Sequence, residues 1–465
     1  MRQTNFALAL VAAAVLTACG GSDNNTPAAA PKPTFAAQIS FGDSLSDVGT
    51  YAVGTVAAIG GGKYTINGNN TAINAALHGK NWTELMAAQI GLAAPCAAVT
   101  GLDGNAAQGF AVPVVQRTTC FGYAQGGARV TNPVGPGNKL TGAAIGQLTH
   151  PVVSQVANHL TRNGGAFKAT DVVYVMAGGN DALMLLGQLT AAATAAGNAE
   201  GAKVGGQTLI ANLSTRLASG ATNPATAKTA IMTAMGTEAA RAGSTSTTIV
   251  QAGIGSAAVQ PGNSAVASPA VYGPMVAVST TEANAAGAAA GAAAGAAYAS
   301  ANGPALVPQM AAAGAELANL IRTQIVGKGA THVVLLNLPD LGSSPSGKAQ
   351  SASGQQLIAG MVSGFNIALR VGIDGLEDKV LYVDVFASSQ AQVLNPSAFG
   401  ITNASAPACG ANPLGTTSLA CKASNTLAGV DVSHYLFADD VHPAPYGQSL
   451  IAKLVAESMV AKGWL

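Results

Sequence analysis

Short apolar runs that end abruptly in polar or glycine-rich turns restrict the fold of this chain more than any other feature. These runs occupy residues 36–41, 171–176, 331–338 and 380–385. Helical patterns alternate with them, over residues 82–90, 314–325 and 354–369. Strands that alternate with helices predict an α/β protein whose mostly parallel sheet is covered on both faces. Ligands bind at the carboxyl ends of such strands, so the polar turns are the expected location of the chemistry.

The first residues are typical of a bacterial export signal. Arg2 precedes an apolar run over 6–16, which is too short to span a bilayer of about 30 Å. The sequence LTAC at 16–19 resembles a bacterial lipobox, in which the cysteine becomes the acylated first residue. We therefore predict a lipoprotein signal peptide at 1–18, lipidation at Cys19 and a flexible tether over 19–35. The expected location is the outer membrane, and an ordinary signal peptide on a secreted protein is the alternative.

The cysteine count agrees with export. Lipidation of one of the five cysteines leaves four in an oxidising compartment, where they form disulfides. Three connectivities are possible, and the short enclosed segments favour Cys96–Cys120 with Cys409–Cys421. In the alternative, all four remain reduced.

Charge is scarce in this sequence. Only 9% of the 465 residues are Asp, Glu, Lys or Arg, against about 25% in typical domains, and the net charge is +1. A nucleic-acid-binding protein needs a basic face, so this charge balance argues against that class. Residues 190–314 are rich in Ala, Gly, Thr and Ser, and Gly287, Gly291 and Gly295 are spaced four apart. This spacing predicts a tightly packed Ala/Gly helix, with a partly disordered insertion as the alternative. A membrane-spanning helix is disfavoured because Ala is too weakly apolar.

The first apolar run leads into the sequence GDSLSD at 42–47, which places Ser44 in the turn after a strand. This block resembles the GDSL, or SGNH, family of serine esterases and lipases. The resemblance implies that Ser44 is the nucleophile, in a strand-to-helix turn with a helix N-terminus nearby. Thr50 stands where many relatives carry Asn.

Two further blocks resemble the parts of this family that form the oxyanion hole. In YAQGGA at 123–128, the second glycine is Gly127, whose backbone N–H the family uses to bind the oxyanion. In GGND at 178–181, the side chain of Asn180 has the same role by resemblance, and the backbone N–H of Ser44 completes the set. Gly122 departs from the family, which usually has Asn there.

The last block, DDVHP at 439–443, resembles the family's Asp-x-x-His-Pro motif. By resemblance, His442 is the general base and then acid, and Asp439 orients its ring. Asp431 and His434 repeat the same spacing, but the proline and the terminal helical pattern over 446–460 favour His442. Asp440 is an alternative orienting residue whose spacing fits poorly.

Competing motifs are incomplete. The chain has no G-x-S-x-G elbow and no H-E-x-x-H, and its cysteine spacing does not suit zinc. Residues 342–348 spell G-x-x-x-x-G-K, but Ala349 follows where a phosphate-binding loop needs Ser or Thr. We therefore expect neither a metal nor a cofactor.

Together these patterns predict a three-layer α/β/α, flavodoxin-like SGNH hydrolase fold over 36–465, with a large helical or disordered insertion at 190–314. The predicted function is an exported serine esterase or lipase that hydrolyses carboxylic esters through an acyl-enzyme intermediate. The expected partners are a small-molecule or lipid ester and, through the lipid anchor, a membrane. The insertion is a candidate apolar lid for acyl chains. The alternatives are a short-chain or carbohydrate acetyl esterase and a non-catalytic binding lipoprotein on an esterase scaffold.

Overall fold

The computed structural model describes residues 32–68 and 75–465, and its central element is a parallel sheet. The strands of these residues, in chain order, are β1 (Ala37–Gly42), β2 (Val99–Asp103), β3 (Ala111–Gln116), β4 (Asp171–Met176), β5 (Val333–Leu336), β6 (Val380–Val383), β7 (Asn403–Pro407) and β8 (Tyr435–Phe437). The central sheet has the order β1-β4-β5-β6, and each neighbouring pair is parallel. β2 and β3 form an antiparallel pair, and β7 and β8 form a short parallel pair.

An irregular segment extends the sheet beyond β1. The N–H of Ser40 donates to the carbonyl of Phe121 at 3.1 Å, and the N–H of Tyr123 donates to the carbonyl of Ser40 at 2.8 Å. With this segment counted as the second strand along the chain, the spatial order is the 2-1-3-4-5 order of flavodoxin-like folds. The edge therefore brings the YAQGGA block to the same end of the sheet as Ser44.

α-Helices are the other main element of the described chain. In chain order they are α1 (Gly54–Ala58), α2 (Trp82–Gln89), α3 (Val152–Arg162), α4 (Gly179–Leu217), α5 (Pro224–Ala239), α6 (Ser246–Ala258), α7 (Pro269–Asn302), α8 (Leu306–Leu320), α9 (Pro345–Lys348), α10 (Ala352–Gly372), α11 (Val385–Leu394) and α12 (Pro445–Ala461). Local sequence explains several of their ends. Asn81 and Glu84, for example, form a capping box at the start of α2.

The sheet separates two apolar layers. Alternate residues of β4 point to opposite faces, with Val173 on one face and Val172 on the other. α3, α8 and α10 pack on the first face, while α2 and α12 pack on the second. Because both faces are covered, all six residues of β4 are buried, as expected of a central parallel strand. The predicted three-layer α/β/α fold with a parallel sheet is confirmed.

The Ala/Gly-rich region is helical. α4 has 39 residues, which is about 58 Å of helix, and it packs against α7. Gly201 and Gly287 face each other there, and a Cβ on either would lie within 2.8 Å of the other's carbonyl oxygen. Gly197 and Gly291 repeat this arrangement one turn along, so the stripe predicted at 287, 291 and 295 has a matching stripe on α4. Only residues without a side chain permit this approach of the two backbones.

The far end of α4 has an apolar core of its own. Leu213 and Leu217 of α4, Ile231 of α5 and Ile254 of α6 are buried together there. α4 begins at Gly179 beside the central sheet, so the helical extension is continuous with the α/β core.

The folded part begins slightly before the predicted boundary at residue 36. Phe35, which the sequence assigned to the tether, is instead buried, with its ring 5.3 Å from the ring of His332. An aromatic side chain gains enough from burial to extend the core by one residue.

Candidate active site

Ser44 lies in a turn at the carboxyl end of β1. The N–H of Ser46 donates to the carbonyl of Asp43 at 3.1 Å and closes this turn, and Ser44 is 7% exposed. The expected helix start is wrong at this point, because α1 begins only at Gly54. The helix N-terminus beside the site belongs to α4, whose first residue, Gly179, lines the same cavity as Ser44.

Three side chains from the two ends of the chain form a continuous hydrogen-bonded series. The Nε2 atom of His442 is 2.9 Å from the Oγ atom of Ser44. On the other side of the ring, Nδ1 is 2.9 Å from both carboxylate oxygens of Asp439. A carboxylate only accepts hydrogen bonds when ionised, so Nδ1 carries the proton and Nε2 is free to accept the one from Ser44.

Burial and charge act in opposite directions on this pair. Burial alone favours the neutral form of Asp439, but the charge and hydrogen bond of His442 outweigh it, and the pKa of Asp439 lies well below its usual range. Burial likewise lowers the pKa of His442, yet the charge of Asp439 outweighs it, so the pKa of His442 lies above 6.5. The carboxylate therefore stabilises the imidazolium that forms when His442 accepts a proton at Nε2.

Backbone groups hold Asp439 in place. Its Oδ1 atom accepts the N–H groups of Val441 at 3.0 Å and of His442 at 2.8 Å. Its Oδ2 atom accepts the N–H of Ser418 at 2.7 Å. A carboxylate with several backbone donors is both ionised and fixed in orientation.

Gly127 lies in the loop that faces Ser44 and lines the same cavity. Its φ is +78°, a left-handed conformation that disfavours side chains, and a Cβ there would collide with the carbonyl oxygen of Pro136. The backbone at this position thus requires glycine.

Asn180 occupies the first turn of α4 and is 5% exposed. Its Nδ2 atom donates to the carbonyl of Ala128 at 2.9 Å, which fixes the carboxamide beside the Gly127 loop. One N–H of the same group remains for another acceptor. The structure therefore brings Ser44, Gly127 and Asn180 to one cavity.

Two buried carboxylates hold the Gly127 loop from its two sides. Asp47 accepts the N–H groups of Gly49 at 2.9 Å, Thr50 at 2.8 Å and Gly126 at 2.9 Å. Asp181 accepts the N–H of Val130 at 3.0 Å and forms an ion pair with Arg129 at 2.9 Å. Both residues belong to the motifs GDSLSD and GGND, but only their contacts indicate what they do.

Burial shifts the pKa values of two carboxyls near Ser44. It raises the pKa of Asp43 to about 7, although the N–H of Leu45 and the charge of His442 act in the other direction. It raises the pKa of Asp47 to about 6, against three backbone N–H groups that favour the anion. Both groups therefore titrate near neutral pH.

The two departures from the family pattern have local explanations. Thr50 donates its hydroxyl to the carbonyl of Ala124 at 3.3 Å, which ties the GDSLSD turn to the YAQGGA block. Gly122 donates its N–H to the carbonyl of Cys96 at 3.1 Å, and a Cβ there would lie 2.7 Å from a methyl of Val48.

Tyr64 is a site residue that sequence reasoning missed. Its ring centroid is 4.7 Å from that of His442, and its hydroxyl accepts a 2.5 Å hydrogen bond from Gln147. Tyr64 lies in none of the four blocks, so only its position in the structure indicates that it limits the movement of the imidazole.

The competing acid–histidine pair lies elsewhere. Nδ1 of His434 is 3.0 Å from the Oγ of Ser433, and its exposed ring packs on Tyr446 with centroids 4.5 Å apart. The carboxylate of Asp431 accepts the N–H of Ser433 at 2.9 Å. Asp440, the alternative orienting residue, is exposed. The structure thus brings His442 and Asp439 to Ser44.

The cavity beside Ser44 has a volume of about 260 Å³. Its polar end contains Ser44, Gly127, Asn180 and His442. The rest is mainly apolar, with lining residues that include Leu45, Leu183, Leu338, Leu436, Ile451 and Leu454. Among the described residues, no group of three or more His, Cys, Asp and Glu side chains is arranged to hold a metal ion.

The cysteines that the structure describes form the two disulfides favoured by the sequence, Cys96–Cys120 and Cys409–Cys421. Disulfides are typical of extracytoplasmic proteins. No helix within residues 32–68 and 75–465 has the length and apolar character to span a membrane. The predicted signal peptide and Cys19 lie outside the described residues.

Comparison with known proteins gives two distant, partial similarities. An uncharacterized protein from the trpE-trpG intergenic region of Pseudomonas putida is 33% identical over 162 residues, which are 33% of this chain and 25% of that protein. A GDSL esterase/lipase of Arabidopsis thaliana is 25% identical over 138 residues, which are 28% of this chain and 39% of that protein. No family model matches the chain. The second similarity supports a hydrolase of the esterase kind and extends over less than half of either protein.

Proposed function

We propose that this protein is an exported serine esterase of the GDSL kind that hydrolyses carboxylic esters. The observation that carries the proposal is the series of hydrogen bonds from Asp439 through His442 to Ser44, which lines a mainly apolar cavity. A serine next to a neutral imidazole nitrogen, with a carboxylate on the opposite nitrogen, is the arrangement that activates a hydroxyl. The partial similarity to an esterase points in the same direction.

In the proposed reaction, the Oγ atom of Ser44 forms a bond to the ester carbonyl carbon and its proton moves to Nε2 of His442. The N–H groups of Gly127 and Ser44 and the side chain of Asn180 bind the resulting oxyanion. The bond to the alcohol oxygen then breaks, and His442 returns its proton to that oxygen. Water repeats the sequence on the acyl-enzyme and releases the acid.

The mainly apolar lining of the cavity suits an uncharged ester. The 260 Å³ cavity lies just below the range of about 300–1,000 Å³ typical of pockets for drug-sized ligands, so it favours acyl groups of modest size. A longer groove, lined by uncharged residues, runs along α4 and α7 and begins at Leu186, one turn beyond Leu183 of the cavity. This groove favours the lid hypothesis for longer chains.

The proposed cellular context is a lipoprotein anchored by Cys19 to the outer membrane, with the chain up to residue 34 as its tether. A membrane and an ester substrate are then its partners. Labelling with radioactive palmitate, compared between the wild type and Cys19→Ala, tests the anchor. Equal incorporation in both would refute it.

Hydrolysis of an ester series from acetyl to palmitoyl by the purified protein tests the activity, with Ser44→Ala as the matched variant. We expect hydrolysis and fluorophosphonate labelling by the wild type only, with unchanged unfolding of the variant. Hydrolysis by Ser44→Ala at the wild-type rate would overturn the proposal, and a wild type that neither hydrolyses nor labels would favour the binding-lipoprotein alternative. The preferred chain length separates a lipase from an acetyl esterase.

A further inference from the structure

One of the three backbone donors to Asp439 comes from a distant turn. Val441 and His442 are neighbours of Asp439 in the chain, but Ser418 lies 21 residues earlier. Ser418 is the first residue of a short 3₁₀ helix, Ser418–Ala420, and is fully buried. The orientation of the carboxylate therefore depends on how firmly this turn is held.

The side chain of Asn67 binds that turn. Its Nδ2 atom lies 2.8–3.4 Å from five carbonyl oxygens. Three of them belong to the turn: Ser418 at 3.0 Å, Leu419 at 3.4 Å and Cys421 at 3.1 Å. The other two belong to Asn67's own segment, Lys63 and Thr65, so the carboxamide joins two loops that are about 350 residues apart.

Backbone contacts place the two loops side by side. The N–H of Asn67 donates to the carbonyl of Cys421 at 2.7 Å, and the N–H of Gly62 donates to that of Leu419 at 2.8 Å. Asn67 is 4% exposed, so its hydrogen bonds have little competition from water. Tyr64, in the same segment, contacts the ring of His442.

The Cys409–Cys421 disulfide closes the other side of this arrangement. The N–H of Cys409 donates to the carbonyl of Ala438, the residue before Asp439, at 2.9 Å. The disulfide thus links the chain next to Asp439 to the turn that Asn67 binds. It limits how far the turn can move, but it does not orient the N–H of Ser418.

We propose that Asn67 is a positioning residue of the triad, which holds the 418–421 turn so that the N–H of Ser418 binds and orients Asp439. This inference rests on the proposed function of Ser44, Asp439 and His442. Asn67 does not line the cavity beside Ser44, so it does not contact the reacting atoms. Its effect passes through the turn to the carboxylate, and from the carboxylate to the imidazole.

Removing the carboxamide therefore has a specific signature. Asn67→Ala removes the side-chain donor to the turn and leaves, from that segment, only the backbone N–H groups of Asn67 and Gly62 on its carbonyls. The turn is then held less firmly, so the N–H of Ser418 shifts and Asp439 loses its fixed orientation. Since a displacement of about 1 Å costs on the order of 10²-fold in rate, we expect kcat for p-nitrophenyl acetate to fall 10- to 100-fold with little change in KM. Asp439 raises the pKa of His442 in the wild type. A poorly oriented Asp439 raises it less, so the acid limb of kcat/KM moves to lower pH in the variant.

Asn263→Ala is the matched control. Asn263 is also 4% exposed, and its Nδ2 donates to the carbonyls of Leu217 at 2.8 Å and Ala257 at 2.9 Å in the helical extension. The Asn263→Ala variant loses a comparable buried carboxamide at a position remote from the triad. We expect it to lower the melting temperature while kcat and the acid limb stay at wild-type values.

A second readout is independent of turnover. The proton resonance of the His442–Asp439 hydrogen bond, recorded at a pH where the imidazole is charged, should move or broaden in Asn67→Ala and not in Asn263→Ala. Asn67→Ser, which keeps a hydroxyl donor, should recover part of kcat.

The outcomes separate the two proposals. An active wild type whose Asn67→Ala variant keeps kcat, acid limb and proton resonance, while losing stability like Asn263→Ala, overturns the positioning role alone. A wild type without esterase activity or fluorophosphonate labelling overturns the proposed function, and the positioning role with it. If neither Asn67 variant folds, Asn67 is a folding determinant and the positioning role is also overturned.

Discussion

Asp47→Asn replaces the buried acceptor of the Gly126 N–H with a group of nearly the same size. The carboxylate accepts three backbone N–H groups, whereas a carboxamide has one oxygen and one donor group. If the oxygen keeps the N–H groups of Gly49 and Thr50, its amino group faces the N–H of Gly126. We expect the loop that contains Gly127 to shift, so that kcat falls about 10²-fold while KM changes only a few-fold.

The magnitude of the stability change depends on pH. Burial raises the pKa of Asp47 from 3.8 to about 6, and since each tenfold change in an equilibrium constant is about 1.4 kcal/mol, full ionisation costs about 3 kcal/mol. This contribution to stability is present below pH 3.8 and is lost as the pH rises through about 6. Asn is neutral throughout and avoids this loss. Against that, the variant leaves the buried N–H of Gly126 without an acceptor, which costs about 1–3 kcal/mol at any pH.

The expected result is a variant that is clearly less stable than the wild type at pH 4 and close to it at pH 8. Urea unfolding at both values measures the difference, and p-nitrophenyl acetate hydrolysis at pH 8 measures kcat. Asp103→Asn, at an exposed carboxylate paired with Lys139, is the control and should change neither quantity. Wild-type kcat in Asp47→Asn, or a stability difference that is the same at both pH values, would refute this reasoning.

Three further changes test other parts of the structure. Asp439→Asn should lower kcat on the order of 10⁴-fold and move the acid limb of kcat/KM to lower pH, because the charge that raises the pKa of His442 is lost. A pH–rate profile that coincides with that of the wild type would contradict the role of Asp439. Gly127→Ala should lower kcat about 10²–10³-fold, since its φ of +78° and the carbonyl of Pro136 leave no room for a Cβ; near-normal steady-state rates would argue against this loop as an oxyanion site. Gly201→Val should cost about 1–3 kcal/mol in urea unfolding, because its side chain meets the carbonyl of Gly287, and unchanged stability would mean that α4 and α7 do not pack this closely.

Much of the fold follows from local sequence. The run at 171–176 is strand β4 as predicted, and the helical pattern at 354–369 lies within α10. The helix predicted to begin at Gly314 begins at Leu306, directly after the turn with Gly303 and Pro304 that separates α8 from α7. Such boundaries depend on packing as well as on pattern, which is why the sequence placed this one less well.

In the helical extension as well, the sequence predicted one part of the structure and the packing decided the rest. The spacing of the glycines at 287, 291 and 295 predicts a closely packed face, but this spacing does not indicate that the packing partner is a second glycine stripe on α4. A stripe of small residues has the same appearance whether it faces lipid, another subunit or its own chain. Only the antiparallel arrangement of α4 and α7 decides among these.

The sequence by itself determined the α/β class and the four blocks that contain the candidate site residues, because strand period and turn chemistry are local properties. It could not choose by spacing between Asp439 with His442 and Asp431 with His434. The tertiary structure decided this, since Ser44 and His442 are 398 residues apart and meet only after the sheet has formed. The roles inferred for Asp47, Tyr64 and Asn67 likewise depend on hydrogen bonds and ring contacts between distant segments. Such contacts leave no periodic pattern in the sequence.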